Sequence, residues 1–148
     1  MRTASADLSQ TTWRARLAPN ERKHPAVRVF IVEDSPVIRD RLTESVSSPG
    51  RIDVVGYADS EARALDALRA GDWDAVILDL QLKEGNGLRV LKALRTSREG
   101  KLVIVLTNYA FPQYRARSEQ LGADYFFDKS REYHRVREVL EQRAGMQH

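Results

Sequence analysis

The sequence predicts an α/β protein built on a doubly wound, five-stranded parallel sheet. Short apolar runs recur at Val27–Val32, Ile52–Val55, Ala75–Leu78, Leu102–Leu106 and Tyr125–Phe127. Each is strand-length, and most are nearly continuous, as in strands covered on both faces. Between them lie stretches whose apolar residues return every three or four positions, the helical period. Regular alternation of strand and helix implies parallel strands joined by right-handed crossovers.

The elements follow in order. After the first run, Ser35-Pro36 sets a hydroxyl cap before a proline at the first helical position. Ile38, Leu42 and Val46 then recur every four residues, and Pro49-Gly50 closes the helix. Asp59-Ser60 offers a cap after the second run, Leu65 and Leu68 mark the helix, and Gly71 ends it. Asn86 caps the helix marked by Leu88, Leu91 and Leu94, which Gly100 closes. A fourth helix is expected over about Pro112–Leu121, and Val136 and Leu140 mark the last one.

Composition sets the outer limits. The chain has 148 residues, 42% apolar and 30% charged, which suits one globular domain with a tail rather than a disordered chain. No apolar run approaches the ~20 residues that span a bilayer, and the first thirty residues lack a signal-peptide stretch. The absence of cysteine removes disulfides, thiolate metal sites and cysteine nucleophiles, and fits a cytoplasmic location. Residues 1–25 hold the whole formal charge of +3; residues 26–148 carry nineteen basic and nineteen acidic side chains. The expectation is therefore a flexible basic tail over residues 1–25, dispensable for the chemistry, before a folded domain over 26–144. A balanced body argues against a nucleic-acid-binding face. His24, His134 and His148 show no metal-ligand spacing.

In an open parallel sheet the site lies beyond the carboxyl ends of the strands. There the chain places Glu33-Asp34 after the first run, Asp79 after the third, Thr107 after the fourth and Lys129 after the fifth. Taken singly, an acid or hydroxyl here is an ordinary helix cap. Together they form a cluster of three carboxylates whose repulsion calls for a hard divalent cation, best Mg²⁺, with Lys129 as a second, fixed cation.

The segments Val-Phe-Ile-Val-Glu33-Asp34, Val-Ile-Leu-Asp79-Leu, Val-Leu-Thr107-Asn and Gly122-Ala123-Asp-Tyr-Phe-Phe-Asp-Lys129, with Gly87 eight residues after Asp79, resemble the receiver domain of bacterial two-component response regulators. The resemblance covers residues 27 to about 143. It implies the flavodoxin-like strand order 2-1-3-4-5. It also implies that Asp79 accepts a phosphoryl group from a sensor histidine kinase or a phosphotransfer protein, an aspartyl-phosphate chemistry known for carboxylate nucleophiles. Asp34 would bind Mg²⁺ directly, Glu33 through water, and the Gln81 backbone carbonyl would complete the protein ligands. Thr107 and Lys129 would hold phosphoryl oxygens, and Thr107 with Phe126 would form the switch, Phe126 rotating inward on phosphorylation.

Four positions depart from the family pattern: Lys83 and Ser130 replace prolines, Asn108 replaces a smaller residue, and Phe126 replaces a tyrosine. Without a proline, the bond between Lys129 and Ser130 is expected to be trans. The last helix is expected to leave only Gly145-Met146-Gln147-His148 after it. The expected protein is thus a single-domain regulator, itself not an enzyme. Its output to an unknown target would pass through protein contacts or onward phosphotransfer, with a homodimer possible through the face of helix 4, strand 5 and helix 5. A flavodoxin-type carrier would want a Gly- and hydroxyl-rich loop where Glu33-Asp34-Ser35-Pro36 stands. A haloacid-type phosphatase would want an acid where Gln81 stands.

Overall fold

A computed structural model of the chain describes residues 25–146. The elements run β1 (Val27–Val32), α1 (Pro36–Val46), β2 (Ile52–Ala58), α2 (Glu61–Arg69), β3 (Ala75–Leu78), α3 (Gly87–Leu94), β4 (Leu102–Thr107), α4 (Pro112–Gln120), β5 (Tyr125–Asp128) and α5 (Arg135–Met146). The five strands form one parallel sheet in the order β2-β1-β3-β4-β5, the order implied by the resemblance. The expected tail over residues 1–24 lies outside the described residues.

Alternation along each strand divides the core into two layers. Val29, Ile31, Ile77, Ile104 and Phe127 face α1 and α5, where Leu42, Val46, Val136 and Leu140 cover them. Phe30, Val32, Val76, Val103, Val105 and Phe126 face the other way, against Ala64, Leu68, Leu91 and Leu94 of α2 and α3. The central strands β3 and β4 are buried at every position, which is why their sequences read as unbroken apolar runs. β2 is an edge strand, and its pattern alternates between covered and exposed residues. It therefore runs three residues beyond the apolar stretch that marks it, through Gly56 and the exposed Tyr57 to Ala58.

The caps act as the sequence predicts. Ser35 Oγ accepts from the Ile38 amide at 3.3 Å, Ser60 Oγ from Arg63 at 3.2 Å, and Asn86 Oδ1 from Leu88 at 2.7 Å. α1 ends at Val46, ahead of Pro49-Gly50, with Ser47 as its C-cap. α4 is the poorly anchored helix: Phe111 stands at its N-cap without a side-chain bond, and Ser118 is its one buried residue. Among the described residues no helix is long and apolar enough to cross a membrane, and every peptide bond is trans, that between Lys129 and Ser130 included.

Candidate functional site

Parallel pairing brings the carboxyl ends of β1, β3, β4 and β5 to one rim, and two bonds beyond the ladder fix the residues that follow. The Asp79 amide donates to Val32 O at 3.0 Å, and the Lys129 amide to Thr107 O at 2.8 Å. Glu33, Asp79 and Thr107 are consequently buried, at 3%, 7% and 0% exposed. Polar groups so placed need partners.

Lys129 supplies two of them. Its ammonium lies 2.7 Å from Glu33 Oε1 and 2.9 Å from Asp79 Oδ2. The other oxygens take backbone amides: Glu33 Oε2 accepts from Ser35 at 3.0 Å, and Asp79 Oδ1 from Gln81 at 3.1 Å. Burial works against the charged ammonium, but Asp79 and Glu33 together hold the Lys129 pKa above its ordinary value. An ammonium shared with Asp79 does not offset the desolvation of Glu33. Burial, with Asp79 adding to it, pushes the Glu33 carboxyl up despite its bonds to Lys129 and Ser35.

Asp34 shares no hydrogen bond with this trio. Its Oδ2 accepts the Lys83 amide at 2.5 Å. Among the described residues no three His, Cys, Asp or Glu side chains are placed to ligate one ion together. The ammonium bridges two of the acids, and a loop amide bonds the third. Thr107 Oγ1 accepts from the Tyr109 amide at 3.1 Å, tying the strand-end hydroxyl to the β4–α4 loop. Phe126, pictured as rotating inward, is already inside at 5% exposed, with the Arg115 guanidinium 4.6 Å from its ring centroid. Gly87 is required where it stands: a Cβ there would fall 2.1 Å from the Asp79 carbonyl oxygen.

Two features escaped the sequence reading. A cavity of about 470 Å³ opens beside Lys129, lined by Ile38, Arg41, Asn108 and Tyr133 among others. The Tyr133 hydroxyl is buried without a hydrogen-bond partner, and burial raises its pKa. The Lys83 amide is the other. No side-chain pattern points to either; the one available signal was that position 83 is not proline and so keeps its N–H.

A family model described as the response regulator receiver domain matches residues 29–141. The chain belongs to that family. Among curated receiver-containing proteins, it is 30% identical over 103 residues to the transcriptional regulatory protein CusR of Escherichia coli. The match spans 70% of this chain and 44% of that protein. It is 34% identical over 83 residues to the DNA-binding transcriptional activator DevR/DosR of Mycobacterium tuberculosis, covering 56% and 38%. The chain thus spans less than half the length of these relatives. Among solved structures, the signal receiver domain of the putative response regulator NarL from Mycobacterium tuberculosis superposes with a TM-score of 0.72 at 26% identity. That match covers 82% of this chain and 98% of the other. A CheY-like receiver domain protein from Methanospirillum hungatei shares the fold with a TM-score of 0.72 at 21% identity, covering 82% and 96%. Phosphorylation on aspartate in two-component signalling is characteristic of receiver domains.

Proposed function

We propose that this receiver domain takes a phosphoryl group on Asp79 from a histidine kinase or phosphotransfer protein, with Mg²⁺ bound, and signals through contacts that depend on the phosphoryl group. The observation that carries the reading is the Lys129 ammonium bridging Glu33 and Asp79 at 2.7 and 2.9 Å beside the buried Thr107. Phosphoryl transfer needs positioning and charge neutralisation more than covalent help. An Asp79 oxygen attacks phosphorus in line, the bond from phosphorus to the donor's imidazole nitrogen breaks, and the imidazole leaves with the electron pair. Lys129, already within bonding distance of Asp79, neutralises the charge that arrives. The Thr107 hydroxyl keeps its proton free to donate, because the Tyr109 amide occupies an acceptor position on the same oxygen.

The donor set fits the cation that the family implies. Asp34, Asp79 and the Gln81 carbonyl offer hard oxygens, and Mg²⁺ is usually held by one or two carboxylates with waters completing the shell. Both Glu33 oxygens are engaged by Lys129 and Ser35, which favours its acting through water. When bound, the cation would neutralise charge on the incoming phosphoryl oxygens.

A cytoplasmic location, a homodimer through α4, β5 and α5, and output without nucleic-acid binding by the folded body belong to the same proposal. The balanced charge of residues 26–148 supports the last of these. Phosphate acceptance holds whether or not the regulator consists of this one domain. Incubation with a small-molecule phosphodonor and Mg²⁺, followed by intact-mass spectrometry, should show one added phosphoryl group in wild type and none in Asp79→Asn. Equal labelling of the two would overturn the assignment.

A further inference from the structure

The loop between β3 and α3 is held by three carboxylates, two that follow strand ends and one in the first turn of α2, each taking one of its amides. Asp79 Oδ1 accepts from Gln81 at 3.1 Å, Asp34 Oδ2 from Lys83 at 2.5 Å, and Glu61 Oε1 from Asn86 at 2.9 Å. The outer two bonds follow from local geometry. Gln81 lies two residues after the acid that it meets, and Glu61 is also bonded through its own amide to Glu84 O at 3.0 Å. The middle bond spans 49 residues and is the shortest of the three. It joins a half-buried carboxylate to the backbone of an exposed residue. An amide donating to an ionised carboxylate is a charge-assisted bond, shorter and stronger than a neutral one.

We propose that the Lys83 amide is a positioning group for divalent-cation binding: it fixes the Asp34 carboxylate through Oδ2 and leaves Oδ1, which has no hydrogen-bond partner among the described residues, to meet the cation. The inference rests on the reading of Asp34 as a metal ligand. A ligating carboxylate oriented by an outer hydrogen bond loses less freedom when the cation arrives, and such outer partners are typically worth 10–100-fold in metal affinity. The two oxygens of a carboxylate offer about four acceptor positions, so one amide does not exhaust them. Position 83 acts here through its N–H alone. Lys83 is exposed and lines an open polar cleft with Asp34, Asp59, Arg63 and Glu84, where solvent screens its charge.

Two substitutions separate amide from side chain. Lys83→Ala and Lys83→Pro both remove the ammonium, but only proline removes the N–H. The loop keeps its other ties in both, through Gln81, Asn86 and the Gly87 amide on Leu80 O at 3.1 Å. Calorimetric titration of the unphosphorylated protein with Mg²⁺ should find Lys83→Ala close to wild type and Lys83→Pro weaker than Lys83→Ala by about ten-fold or more. Equal affinities for the two, or tighter binding by Lys83→Pro, would overturn the proposal. Asp34→Ala tests the reading beneath it: wild-type affinity in that variant would remove Asp34 from the ligand set, whatever the proline variant does. Should Lys83→Pro fold poorly, the wild-type protein decides. The Lys83 amide resonance should lie far downfield without metal and stay there at saturating Mg²⁺. Its return to an ordinary position on saturation would mean that the cation displaces the amide, and the proposal would fail.

Discussion

Lys129 Nζ stands 2.9 Å from Asp79 Oδ2, and both side chains are 9% exposed. The proposed phosphate acceptor therefore rests in a buried ion pair, and the ammonium serves Glu33 as well. Removing one partner of a buried pair leaves an uncompensated charge, typically at a cost of about 3–5 kcal/mol. Lys129→Ala should destabilise the fold by about that much near neutral pH in urea denaturation, and adding Asp79→Asn should recover part of the loss, because the residues couple. The pH dependence has a definite sign. Without the ammonium, the Glu33 carboxyl, already held above its unfolded value by burial, is pushed further up, so the folded state binds protons more readily than the unfolded one. The deficit of Lys129→Ala should be largest at neutral pH and shrink as pH falls toward ~4.3, the unfolded glutamate value. A deficit that grows on acidification would contradict this account.

Gly87 opens α3 directly against the acceptor strand, its amide 3.1 Å from Leu80 O. A methyl group there would meet the Asp79 carbonyl oxygen at 2.1 Å and the Leu80 Cα at 2.7 Å. Both neighbours are backbone, so relief requires moving helix from strand. Gly87→Ala should cost about 1–3 kcal/mol, the range for forcing atoms into a packed site, and should lower the melting temperature despite the better helix propensity of alanine. Gly100→Ala is the matched control for open space. Nothing lies within 4 Å of a Cβ at Gly100, and its cost there is backbone alone, at φ 77°.

How much of this was legible in the sequence depends on what each element shows to a reader of side chains. β3 and β4 were plain, because burial on both faces leaves only apolar residues. The edge strand β2 was read short, because the sheet covers one of its faces and not the other. Ser35, Ser60 and Asn86 announced their helices through their own oxygens. α4 lacks both a side-chain cap and an apolar stripe, and Pro112 was its main mark. Within the site, Glu33, Asp79, Thr107 and Lys129 fell out of position alone, since each follows an apolar run. The bond that holds Asp34 did not, because its partner is a backbone amide in a loop.

At the opposite end of the sheet, Asp74 binds Arg28 three times: the backbone amide at 2.8 Å and two guanidinium nitrogens at 3.2 Å. Partial burial would raise the Asp74 carboxyl, but these bonds and the Arg28 charge prevail and hold it below its ordinary value. A depressed pKa contributes stability above the unfolded value, and that stability is lost as pH falls through the folded one. Asp74→Asn should thus cost about 1 kcal/mol at neutral pH, the low end for a bond to a charged group, because Arg28 is 47% exposed. The difference from wild type should close below about pH 3.9, the unfolded aspartate value. A difference that persists at pH 2 would mean that asparagine disturbs packing rather than charge.

Phe126 is buried already, so its rotation inward has little distance left to run. Thr107 offers another connection, since its Oγ1 holds the Tyr109 amide at 3.1 Å while lying fully buried beside the acceptor strand. The exposed Tyr109 and Phe111 lead an aromatic file to the half-buried Tyr114 on α4: the Tyr109 ring is 6.4 Å from Phe111, which is 6.1 Å from Tyr114. A helix without a side-chain cap and with one buried residue is the element in this fold least able to resist a pull from that loop. A bond donated by the Thr107 hydroxyl to a phosphoryl oxygen would supply ~1.5–3 kcal/mol, against the ~5.5 kcal/mol needed to carry a two-state element from 1:99 to 99:1, so a partial shift is expected. Thr107→Ala should accept phosphate at Asp79 but lose most of the amide shift changes over residues 109–120 that wild type shows on phosphorylation. Thr107→Ser, which keeps the hydroxyl, should restore them. Identical responses in wild type and Thr107→Ala would route the signal through another face of the domain.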